Sequence, residues 1–184
     1  LGGRVAAGGN IEITTSTGND SYYEIQGGTL TNAGSLTVGR TDALGTGVFH
    51  VVGGNAIIHV GDGTTEDFRI QNSGELRLSF SNSTISAIQV SDDIVLSAGS
   101  TLSISNYGGI TDGEYLVATS RNASLITTTF TTTNWLGGYT GTITYTGGCI
   151  RISFTTPSEI AVLGTNLAVI SAGDVAPSTA DGTD

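Results

Sequence analysis

Six short runs in this sequence carry two apolar residues separated by one position: Tyr23-Glu24-Ile25, Phe49-His50-Val51, Phe68-Arg69-Ile70, Ile88-Gln89-Val90, Ile143-Thr144-Tyr145 and Ile160-Ala161-Val162. Four residues after its first apolar position, each run meets a turn-forming element. These are Gly27-Gly28, Gly53-Gly54, Asn72-Ser73-Gly74, Asp92-Asp93, Gly147-Gly148 and Gly164-Thr165-Asn166. A period of two places alternate side chains on opposite faces, the pattern of a half-buried strand. The runs start at 23, 49, 68, 88, 143 and 160, in steps of 26, 19, 20, 55 and 17. A step near 20 predicts one coil of a β-solenoid, in which two or three short strands and their corners use about that much chain.

Composition agrees with a strand-and-corner architecture. Gly accounts for 28 of the 184 residues and Pro for 2. Gly supplies the positive φ that tight corners need, and Asn or Asp is the next best choice. With 38% hydrophobic residues and 12% charged, a chain of this length can bury a core without metal or disulfide staples. Apolar residues nowhere keep a helical spacing for more than a turn or two. Apolar stretches such as 160–163 and 57–58 fall far short of the ~20 residues of a membrane helix. A formal net charge of -10, with 6 basic residues against 16 acidic ones, excludes nucleic acid as a partner. All six basic residues are Arg. A chain that starts at Leu1 and holds no Met reads as a processed or excised segment. The single Cys149 has no internal disulfide partner and reads as a small, apolar strand residue.

Two alternatives compete with the solenoid. A Gly54-Asn55 loop would join 48–53 to 56–60 as an antiparallel hairpin, and a β-sandwich also fits the alternation. The long step from 88 to 143 marks a change of organisation. It contains Leu102-Ser103-Ile104, Gly113-Glu114-Tyr115-Leu116-Val117, a Thr-rich run at 127–133, and the only Trp, Trp135. The expected division is solenoid coils at 1–99, a capping β region at 100–156, and a linker with a trailing strand pair at 157–184. A cap is required because a bare terminal coil leaves unpaired strand edges.

The stretch Leu36-Thr37-Val38-Gly39, Gly45-Thr46-Gly47-Val48-Phe49, Gly53-Gly54 and Val60-Gly61-Asp62 resembles the Gly-rich β-solenoid repeats of autotransporter-like passengers and of surface-sorted bacterial proteins. The region from Leu96-Ser97-Ala98-Gly99 through Gly113-Glu114-Tyr115 to Gly138-Tyr139-Thr140-Gly141 and Gly147-Gly148 looks like the closing module of such passengers. Pro157-Ser158-Glu159-Ile160-Ala161-Val162, Ile170-Ser171-Ala172-Gly173-Asp174 and the end from Pro177 to Asp184 are similar to the opening of Ig-like choice-of-anchor repeats. These resemblances imply a bacterial, extracellular or cell-surface setting and carry over no catalytic residue.

The candidate sites divide by chemistry. In the hairpin register His50 and His59 face each other, and Asp62 would complete a metal site. In the solenoid they fall on separate strands as solvent-facing residues. Asp62, Glu66, Asp67, Asp92, Asp93, Asp112, Asp174 and Asp181 sit near turns, and calcium is possible there, although turn chemistry explains them equally well. Asp92 and Asp93 are adjacent, so on a strand they point to opposite faces and do not flank one glycosidic bond. No Gly-x-Ser-x-Gly elbow is present. The leading expectation is a non-catalytic structural or adhesive segment whose partners are itself or other surface proteins. It would assemble into a filament by strand addition through Ile160, Val162, Leu163, Leu167, Val169 and Ile170. The alternative is a carbohydrate-binding module that stacks glycans on Trp135, Tyr139 and Tyr107, with Tyr22 and Tyr23 as further candidates.

Overall fold

The computed structural model describes residues 3–14, 20–42, 45–106, 110–121, 126–137 and 139–155. Among the described residues the chain makes four full turns of a three-faced parallel β-solenoid. The first coil is β1 (Arg4–Ala7), β2 (Ile11–Ile13) and β3 (Ser21–Ile25). The second is β4 (Gly28–Asn32), β5 (Leu36–Val38) and β6 (Gly47–Val52). The third is β7 (Ala56–Val60), β8 (Phe68–Ile70) and β9 (Gly74–Phe80), and the fourth is β10 (Ile88–Val90), β11 (Ile94–Leu96) and β12 (Thr101–Asn106). A fifth, looser coil consists of β13 (Gly113–Ser120), a single bridge from Ile126 to Ile94, and β14 (Thr132–Trp135). The closing hairpin is β15 (Thr140–Thr146) and β16 (Cys149–Thr155), with β16 antiparallel to β13.

Each coil contributes one strand to each face. The first face runs β1-β4-β7-β10-β13-β16-β15, the second β11-β8-β5-β2 and the third β14-β12-β9-β6-β3. The inward column of the third face, Phe49, Leu76 and Leu102, is fully buried and in register. On the second face Leu36, Phe68 and Ile94 stack in the same way. Like stacks on like because the register repeats from coil to coil, so one pattern of alternation builds a continuous interior.

Five of the six runs marked by the alternation are strands here: β3, β6, β8, β10 and part of β15. The sixth, at 160–162, lies outside the described residues, as does the trailing strand pair. The coil length differs from the expected 20. Register partners are 25 to 32 positions apart, from Arg4↔Thr29 to Leu36↔Phe68. The marked runs lie on different faces: β3 and β6 on the third, β8 on the second and β10 on the first. A step of 26 was therefore a whole coil, while 19 and 20 were two faces out of three. The hairpin reading is also corrected, because β6 and β7 belong to different sheets with Gly53 at φ 65° turning the corner between them. Parallel stacking continues past Gly99: β12 pairs with β9 over six residues and β14 pairs with β12. The antiparallel cover is confined to 140–155.

Candidate functional site

The outer side of the third face holds a hydrogen-bonded chain of groups with proton-transfer chemistry. Glu24 on β3, His50 on β6 and Arg77 on β9 are direct register neighbours. Ser79 lies two residues further along β9, which is diagonal contact distance from His50. His50 Nδ1 lies 2.9 Å from Glu24 Oε2, and the Tyr22 hydroxyl bonds to both groups. On the other side of the ring, Nε2 is 2.6 Å from Ser79 Oγ, which is 2.7 Å from Ser105 Oγ on β12. The tautomer that satisfies every partner has Nδ1–H donating to the carboxylate and Nε2 accepting from Ser79.

His50 is 4% exposed, which corrects the expectation that it faces solvent. Burial pushes its pKa below the usual imidazole value, opposed by the Glu24 carboxylate and reinforced by Arg77. Glu24 is held below the usual carboxylate range, first by the hydrogen bond from Tyr22 and then by Gln26. Arg77 is occupied by Glu75 through two bonds of 2.8 and 3.0 Å. The connectivity Glu24–His50–Ser79 is that of an acyl-transfer relay. Ser79, however, has no exposed surface, and the β9 strand hydrogen-bonds on both sides, to β6 and β12, so its N–H groups are spent in the ladder rather than gathered toward an oxyanion. What the arrangement can do is hold His50 neutral and reverse the direction of its hydroxyl chain when a proton arrives.

The metal pairing read from the sequence does not form. His59 lies on β7 in the first face, opposite Thr31 and Gln89, while His50 lies on the third. Of the acidic residues named for calcium, Asp67, Asp92 and Asp93 are the described ones that come together, with one carboxylate oxygen each within 4.8 Å of the others. Asp67 is 6% exposed, pairs with Arg69, and accepts from the Asp93 N–H at 3.2 Å. Burial, then Asp92 and Asp67, push the Asp93 carboxyl above its usual range. Asp174 and Asp181 lie outside the described residues.

Trp135 and Tyr139 are half-buried and meet Phe154 edge-on, at 5.8 and 6.5 Å between ring centres. Phe80 and Tyr115 also contact Phe154, at 5.0 and 5.5 Å. These rings fill the capped end of the interior. Tyr22 is exposed and Tyr23 packs on Phe49. Tyr107 and all six residues named for self-association lie outside the described residues. Sequence reading passed over Phe154, and it missed the relay because Glu24, His50 and Arg77 are 26 and 27 positions apart, a spacing that has meaning only once the coil length is known.

The fold therefore defines a parallel β-solenoid with a polar relay on one face and an aromatic plug at one end. No family model, curated protein or solved structure matches the chain. Among the described residues, no helix is long and apolar enough to cross a membrane.

Proposed function

We propose that this chain is a non-catalytic structural or adhesive segment of an extracellular or cell-surface protein, which extends by strand addition to its own end coils. The observation that carries this reading is the in-register parallel stack, in which each coil adds one strand to each of three faces. Among the described residues β1, β2 and β3 each pair on one side only, and Val5, inward in register with Leu30, is 43% exposed. An interior that opens onto unpaired strands accepts further strands by continuing the same ladder. The resemblance to autotransporter-like passengers and choice-of-anchor repeats agrees with that role, as does an acidic surface that keeps a long stack soluble. In this reading the segment at 160–170, with Ile160, Val162, Leu163, Leu167, Val169 and Ile170, is the donor, and the first coil of another copy is the acceptor.

Electron microscopy and light scattering of the purified chain at increasing concentration test the proposal. Filaments or a concentration-dependent rise in mass are expected, and both should be lost in Val5→Lys and in Val162→Lys, each of which puts a charge into the apolar joint. A wild-type chain that stays a monomer at every concentration overturns it.

A further inference from the structure

The first face carries a trough that plays no part in stacking. Its outermost column runs Ala6, Thr31, His59, Gln89 and Thr119 across five strands. One step further, where the chain turns to the second face, the ladder continues through Ala33 N–H to Ala7 O, Gly61 N–H to Asn32 O, Ser91 N–H to Val60 O and Arg121 N–H to Val90 O, at 2.8 to 3.0 Å. This corner column is therefore Ala33, Gly61, Ser91 and Arg121. Three small residues beside taller ones leave a depression. A cavity of about 400 Å³ lies over His59, Gly61, Gln89, Ser91, Thr119 and Arg121. A second, of about 320 Å³, joins it at His59 and Gly61 and continues to Thr31, Asn32 and Asp62.

The shape is held by specific contacts. Gly61 has φ 80°, and a Cβ there would meet Ser91 Oγ at 2.1 Å, so only Gly keeps this floor open. The Glu66 carboxylate accepts from the Gly63 and Thr65 N–H groups at 3.0 and 3.3 Å, which fixes the loop that follows Asp62. Two polar atoms of these residues, Asn32 Oδ1 and Ser91 Oγ, are buried without a hydrogen-bond partner among the described residues and present no surface to the trough.

The lining selects among ligands. Peptide strands dock by backbone pairing, and the backbone of this face is already committed to its own ladder. A polyanion is opposed by the net charge of -10. The groups that remain are a donor in Arg121, an acceptor in Asp62, and side chains that both give and take hydrogen bonds in Thr31, Gln89 and Thr119. Mixed donors and acceptors of little net charge suit a molecule whose hydroxyls do both. We propose that this trough binds a neutral oligosaccharide lying across the strands, with successive sugars meeting successive coils at the ~4.8 Å strand spacing. No Trp, Tyr or Phe ring lines it, so affinity comes mainly from hydrogen bonds and falls in the millimolar range. This site is independent of the end-coil assembly proposed above.

Amide NMR titration of the full chain with neutral hexamers of glucose, mannose and N-acetylglucosamine, and with a hexauronate, is the test. At least one neutral hexamer should give saturable shifts centred on Thr31, His59, Gln89, Thr119 and Arg121. Arg121→Ala and Gln89→Ala should each weaken binding roughly fivefold. Arg40→Ala, whose side chain pairs with Asp42 elsewhere, should leave it unchanged. The same spectra report whether each variant is folded. The proposal is overturned by the absence of saturable shifts at the trough, by folded Arg121 and Gln89 variants that bind as wild type, or by tighter binding of the hexauronate.

Discussion

His50 shows how position in the coil sets the behaviour of a residue. It faces Tyr22 and Glu24 from β3 and Glu75, Arg77 and Ser79 from β9, and burial lowers its pKa below the value of 6.5 for a free imidazole. The unfolded chain therefore binds a proton more readily than the folded one. That contribution to stability is fully present above pH 6.5 and is lost as pH falls through the folded-state value. Glu24, also lowered, adds a loss in the same direction below pH 4.5. Thermal melts from pH 8 to pH 4 should show a falling melting temperature that begins near pH 6.5. In His50→Gln the decline should begin only in the carboxylate range, and an unchanged onset in that variant would assign the loss elsewhere. Asp93 behaves oppositely. Its carboxyl is raised by burial and by Asp92 and Asp67, so its charge opposes folding at neutral pH and is relieved as pH falls. Asp93→Asn should raise the melting temperature at pH 7, with the gain shrinking toward pH 4. A drop at pH 7 on mutation would mean that the carboxylate is held by a cation such as calcium, which a melt with and without chelator would reveal.

At the scale of the element, a corner decides whether three strands form a coil. Gly39, Gly47 and Gly74 converge where successive turns of the stack cross. A Cβ on Gly74 would meet Val38 O at 2.3 Å, and one on Gly47 would meet Ile13 O at 2.0 Å. Those neighbours are backbone atoms within the ladder, so they have no room to move. Gly74→Ala should cost roughly 2–3 kcal/mol by overpacking, read as a lower denaturant midpoint at an unchanged slope. Gly3→Ala, where nothing lies within 4 Å, is the silent control. Strands were legible in the sequence because burial alternates residue by residue: Phe68, Ile70, Ile88 and Val90 are buried just as their period of two requires. Faces were not legible, since an inward Phe68 and an inward Ile88 look alike although they belong to different sheets. The coil length was hidden for that reason. The relay was hidden too, because Glu24, His50 and Ser79 meet only through a register between coils.

The whole molecule is a stack in which each coil rests mainly on its neighbours, and its stability should vary along the axis rather than be shared evenly. The second and third coils, with a coil on each side, have the most complete interior, for Phe49, Val51, Leu76 and Leu78 are all fully buried. The capped end depends on one side chain. Phe154 on β16 contacts Phe80, Tyr115, Trp135 and Tyr139, and β16 itself covers the edge of β13. Phe154→Ala removes the common contact of those four rings and should cost about 3–5 kcal/mol locally. If neighbour contacts dominate, hydrogen exchange in the variant will speed up in β13, β15 and β16 and remain slow in β6, β7 and β9. The freed β13 edge should then recruit a second copy at high concentration, because an exposed parallel edge is a template for pairing. Equal acceleration in every coil would instead mean that the stack unfolds as a single cooperative unit, with the aromatic plug holding all of it.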